Sequence, residues 1–132
     1  MRQNPRDVIN FAFSLSYNIY MDKEYKKFYH VSLGYHNNIL VAYGVNKNKK
    51  HPKLIELGYR DISLVHAELD LLLKYQGNFK DLDIINFCFA ATNVRRGKIK
   101  PHTSKPCVHC ASFVSSARSI TFLTEQKRWV TV

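Results

Sequence analysis

The sequence predicts an α/β fold, and three observations point to it. Apolar residues recur at helical spacing in three segments, alternate with a period of two or run unbroken in five others, and the two kinds of segment are interspersed along the chain. At 132 residues the chain suits a single domain, 1–132, large enough to bury a core without disulfide staples.

Pro5 and Asp7 suit a helix start, and Val8, Phe11, Ala12, Leu15 and Ile19 share one face, which predicts a first helix from about Asp7 to Tyr20. Asn10, Ser14, Ser16 and Asn18 interrupt that stretch, so neither a secretory leader nor a membrane span of about 20 apolar residues is expected. Met21 to Lys27 reads as a loop. From Phe28 the period changes to two: Tyr29, Val31 and Leu33 alternate with His30, Ser32 and Gly34, the pattern of a half-buried strand. Tyr35 to Asn38 has turn chemistry, and Ile39 to Val45 completes a hairpin.

Asn46 to Lys53 is a basic loop carrying Lys47, Lys49, Lys50 and Lys53, and Leu54 to Val65 has no clear period. His66 to Tyr75 is a helix with Leu69, Leu72 and Leu73 on its core stripe, stopped by Gly77. Asp83 to Ala90 is apolar enough for a strand buried on both faces. Asn93 to Lys105 is a second basic loop, with Arg95, Arg96, Lys98, Lys100 and Lys105. Cys107 to about Arg118 forms a third helix opened by Pro106, and Ile120–Leu123 and Trp129–Val132 are final strands, the last at an edge.

Lys and Arg number 20 against 10 Asp and Glu, a net charge of +10, which favours anionic partners, nucleotides or nucleic acid. The three cysteines, two of them in a C-x-x-C, argue against a disulfide framework and for a reducing, cytoplasmic compartment that keeps thiols free for metal. Cys88, in the apolar strand, reads as a small core residue, and His109, between the paired cysteines, as a neutral bystander.

Two short stretches carry the chemistry, His66-Ala67-Glu68 and Pro106-Cys107-Val108-His109-Cys110. His66, Cys107 and Cys110 supply three zinc ligands of the type that metal prefers, and three protein ligands leave a position for water. If helices begin at both stretches, their N-terminal ends meet at one point and stabilise thiolate ligands. Glu68 can then face the site without binding the metal and move protons there.

H-x-E followed by P-C-x-x-C is the signature of zinc nucleobase deaminases, and from Ile39 to Leu123 the chain resembles the zinc-dependent cytidine and deoxycytidylate deaminase superfamily. The resemblance implies a three-layer α/β/α fold in which a mixed five-stranded sheet is flanked by helices. It implies Zn2+ held by His66, Cys107 and Cys110, with Glu68 as proton shuttle, and a homo-oligomer whose subunits complete one another's pockets. It further implies that Asn46, in Gly44-Val45-Asn46, contacts the sugar and that the backbone of Ala67 holds the base carbonyl.

The resulting expectation is hydrolytic deamination of a free cytosine nucleoside or nucleotide, in which hydroxide on zinc attacks the base. His51, Arg95 and Lys105, from the two basic loops, stand as substrate contacts. Two alternatives stay open: editing of cytosine or adenine within RNA or single-stranded DNA, and a binding module that keeps zinc for stability.

Overall fold

A computed structural model of the chain describes residues 5–21, 28–47, 50–52, 56, 65–91, 94, 102–107, 110–111, 114–126 and 128–132. In chain order the elements are helix α1 (Pro5–Met21), strands β1 (Phe28–His36) and β2 (Ile39–Val45), and helix α2 (Ala67–Lys74). After them come a 3-10 turn at Phe79–Asp81 and strands β3 (Asp83–Ala90), β4 (Ser119–Leu123) and β5 (Trp129–Thr131). The strands form one mixed sheet in the order β2-β1-β3-β4-β5. β3 and β4 run parallel, and the other neighbours pair antiparallel, with β5 at an edge as its sequence suggested.

Alternation along the strands sorts the core onto two faces. Val8 and Ala12 of α1 are buried with Tyr29, Val31 and Leu33 of β1 and Ile85, Phe87 and Phe89 of β3. On the other face Leu71 of α2 is buried with Leu82, Ile84, Ile120 and Phe122. The sheet is thus covered by a helix on each side, the α/β/α arrangement expected. Full burial of a side chain such as Leu33 or Phe89 contributes roughly 1.5–3 kcal/mol.

The two serines that punctuate α1 are satisfied within it. Ser14 Oγ donates to the Asn10 carbonyl at 2.9 Å, and the buried Ser16 Oγ donates to that of Ala12 at 3.1 Å. The helix also takes in Met21, which the sequence assigned to a loop.

β1 differs from the half-buried strand expected. Its alternate face is covered as well, with Ser32 and Gly34 buried, because the chain returns as α2 on that side. The strand also runs on through Tyr35 and His36, past a bulge after Gly34, and the turn shrinks to Asn37 and Asn38. Both have left-handed backbones, φ 51° and 63°, which a two-residue type I′ hairpin requires and asparagine tolerates.

α2 ends at Lys74 with Tyr75 as its C-cap. Gly77 lies beyond it without a left-handed φ, so it is not the helix stop. Gly44 has a clearer role: a Cβ there would collide with the backbone of Ala67 and Leu71. Glycine therefore lets β2 lie directly against the start of α2.

The third predicted helix falls partly outside the described residues. Within them Cys110, Ala111 and Val114 are helical, and the N–H groups of Ala111 and Ser115 bond the carbonyls of Cys107 and Ala111 at 2.7 and 3.1 Å. Among the described residues no helix is long and apolar enough to cross a membrane.

Candidate metal centre

The site forms at the end of the sheet where β2, β3 and β4 finish. Beyond β2 the Lys47 N–H bonds the Val65 carbonyl at 2.9 Å, and this bridge delivers His66 to the N-cap of α2 with an extended backbone, φ −80° and ψ 159°. From the opposite side, the His102 N–H bonds the Cys88 carbonyl at 2.7 Å. The Ser104 N–H bonds the Leu123 carbonyl at 3.0 Å, and the Leu123 N–H returns to Ser104 Oγ at 2.8 Å. Segment 102–107 is thereby laid across the ends of β3 and β4, and Cys107 arrives beside His66.

His66 Nδ1 lies 3.5 Å from Cys107 Sγ and 3.5 Å from Cys110 Sγ, and the three donor atoms all fall within 4.8 Å of one another. Zn–N of about 2.05 Å and Zn–S of about 2.3 Å at a tetrahedral angle separate nitrogen from sulfur by about 3.6 Å. The triad therefore has the spacing to hold a metal ion and fits zinc. The Cys110 N–H also donates to Cys107 Sγ at 3.4 Å, so this thiol receives a helix-start N–H much as an N-cap oxygen would.

The electrostatics prepare the same atoms. A hydrogen bond from Cys110, joined by one from His66 and by the Cys110 backbone N–H, holds Cys107 at about 3 against the opposing effect of burial. Its thiolate is the metal-binding form. His66 is shifted upward, chiefly by its hydrogen bond to Cys107. A cation must displace that proton, because only neutral imidazole offers a lone pair.

Glu68 sits in the first turn of α2 and is 7% exposed. Burial raises its carboxyl above the ordinary range, and its own backbone N–H, the His66 charge and a hydrogen bond from Cys110 offset this in part. His66, Glu68 and Cys107 open on a cavity of about 380 Å3 that Ala67, Asn46 and Lys105 also line. Asn46 is held rigidly there: its Oδ1 accepts the His30 N–H at 3.0 Å and its Nδ2 donates to the Phe28 carbonyl at 3.1 Å.

Of the other expected contacts, His51 is half-buried and not among the residues lining the cavity. Arg95 lies outside the described residues, as do Arg96, Lys98, Lys100, Lys49, Lys53 and His109. Lys47, counted with the loop cations, lines the cavity and pairs with the buried Asp70 at 3.0 Å. Cys88 is buried and stands apart from the ligand triad, its Sγ 3.7 Å from His30 Nε2.

His30 is the cavity residue that the sequence reading missed. Burial, helped by the neighbouring His66 and His102 and opposed by Cys107, pushes its imidazole down to about 4, so it is neutral at pH 7. Ser32 and Asn86 also line the cavity. The signal was present as polar residues in phase on β1, plus one asparagine inside the otherwise apolar β3 run. Compared with protein-family models and with curated proteins, the chain matches none.

Proposed function

We propose that the chain is a zinc-dependent hydrolytic deaminase of a free cytosine nucleoside or nucleotide. One observation carries this reading: a His/Cys/Cys set close enough to hold one metal ion adjoins a cavity, lined by His66 and Cys107, that also takes in Glu68, a buried carboxyl that is not one of the set. Structural zinc sites are closed by four protein ligands, whereas catalytic ones keep a position free. A scaffold metal has no use for a proton carrier beside it. When bound, zinc supplies the Lewis acidity that makes water nucleophilic at neutral pH.

The chain's own residues account for the remainder. Replacing an amino group on the ring by oxygen consumes one water and releases one ammonia, so protons must move from water to a ring nitrogen and on to the departing amine. Glu68 carries them, and burial suits it by bringing its carboxyl nearer to the working pH. The Ala67 N–H, in the first turn of α2 where helices leave N–H groups without intrahelical partners, takes the carbonyl of the base. Asn46, with one amide hydrogen left over from its bonds to β1, meets the sugar, and the exposed Lys105 meets a phosphate.

The test is ammonia release from cytidine, deoxycytidine, CMP and dCMP by zinc-loaded protein. Turnover of at least one, cut by orders of magnitude in Glu68→Gln, is the expected result. Stoichiometric zinc with no turnover of any of the four overturns the reading, and activity confined to oligonucleotides would replace it with nucleic-acid editing.

A further inference from the structure

The sheet face beneath α2 changes character along its length. Where it meets Leu71 it is apolar, built from Leu82, Ile84 and the bare backbone of Gly34. Under the cavity it turns polar: His30 and Ser32 of β1 stand directly opposite Cys88 and Asn86 of β3 in the antiparallel register. Ser32 Oγ donates to Asn86 Oδ1 at 2.7 Å, the two residues are 0% and 3% exposed, and both line the cavity.

That bond orients the amide and engages its oxygen. The Asn86 amide nitrogen is left with two hydrogens and, among the described residues, no partner. Buried donors are nearly always paired, so one kept unpaired at a cavity wall is a group that something outside the protein completes. A neutral amide suits a neutral acceptor. The cations of this cavity sit elsewhere, on Lys47 and Lys105.

We infer that Asn86, oriented by Ser32, donates a hydrogen bond to a ring-nitrogen or carbonyl acceptor of the heterocycle entering the cavity, and so selects for ligands that carry one. The inference deepens the deaminase reading and rests on it for the identity of that heterocycle. It makes Asn86 a specificity residue whose polarity serves the ligand and not the fold.

Two variants test it, Asn86→Asp, which keeps the acceptor for Ser32 but removes the donor, and the paired Ser32→Ala with Asn86→Leu, which replaces both polar partners by apolar groups. Each is compared with wild type by urea unfolding without ligand and, in a Glu68→Gln background that blocks turnover, by calorimetric titration of cytidine into zinc-loaded protein. The paired variant should be at least as stable as wild type, and both variants should bind cytidine roughly ten- to a hundredfold more weakly. A paired variant that unfolds more readily than wild type, or wild-type affinity in either variant, overturns the inference. If wild type neither binds nor deaminates cytidine, the deaminase reading fails, and the unfolding comparison alone then decides: retained stability supports a ligand-facing Asn86, and lost stability makes it structural.

Discussion

The backbone N–H of Val45 donates to the buried carboxylate of Asp70 at 3.0 Å. The end of β2, which carries Asn46 into the cavity, is thereby fastened to the helix that begins beside His66. Lys47 and Lys74 pair with the same carboxylate at 3.0 and 3.1 Å. Burial alone would raise the Asp70 carboxyl, but the Val45 N–H and the two lysines outweigh it and leave the group below its ordinary value.

A depressed carboxyl stabilises the fold above its unfolded pKa and loses that contribution as pH falls through the lower folded value. Asp70→Ala should therefore cost about 1–3 kcal/mol at neutral pH, since it also strands a buried N–H. The carboxylate share of that difference should shrink below about pH 4. Urea unfolding of variant and wild type across the acid range checks both statements.

Metal affinity should weaken on acidification well before Cys107 is protonated. Cys107 stays ionised down to about 3, whereas His66 holds its proton above the usual histidine value. Below that raised pKa a proton and the cation compete for Nδ1, which lowers the apparent zinc affinity by at least roughly tenfold per pH unit. Chelator competition at a series of pH values reads the slope, and an affinity independent of pH through this range would contradict the assignment of His66.

Glu68→Gln separates chemistry from binding. Deamination should fall by roughly 10²–10⁴, while zinc binding, measured by metal analysis after gel filtration, stays stoichiometric. Because burial raises the Glu68 carboxyl, the ionised form weakens the folded state as pH rises past its unfolded pKa. The metal-free variant should accordingly be more stable than metal-free wild type at neutral pH, by about 1.4 kcal/mol for each unit of that elevation, and the gap should close below about pH 4.3.

Gly44→Ala should disturb fold and site together. The added methyl meets the backbone of Ala67 and Leu71 and not a yielding side chain, so α2 must move off β2, at about 1–3 kcal/mol or more. His66 moves with it. Thermal melting should show the loss of stability and zinc titration a weaker affinity; a normal melt with normal zinc binding would mean that the helix has room to spare.

The sequence was most informative where function sits in consecutive residues at a helix start. His66 with Glu68, and Cys107 with Cys110, each lie within one turn, so local spacing alone suffices to aim them, and the structure brings three of the four into a triad. The polar floor was legible only as separate hints on β1 and β3, because it exists as a floor only once the strands are in register. Ser32 and Asn86 are 54 positions apart, and either one alone passes for an ordinary polar residue in a strand. The ion pair of Lys47 is hidden for a similar reason: the sequence places it in a basic loop, while its partner Asp70 lies on another element.

Because β3 and β4 are parallel, no hairpin can join them, and the chain must travel back over the sheet before β4 can pair. Cys107 and Cys110 lie on that return path, between Ala90 and Ser119. The route that closes the sheet is therefore also the route that supplies two of the three candidate metal donors, so a cation spanning His66 and the cysteines would cinch the crossover between these two neighbouring strands. Trimming this connection to simplify the protein would remove the chemistry and the means of seating β4 and β5 in the same stroke.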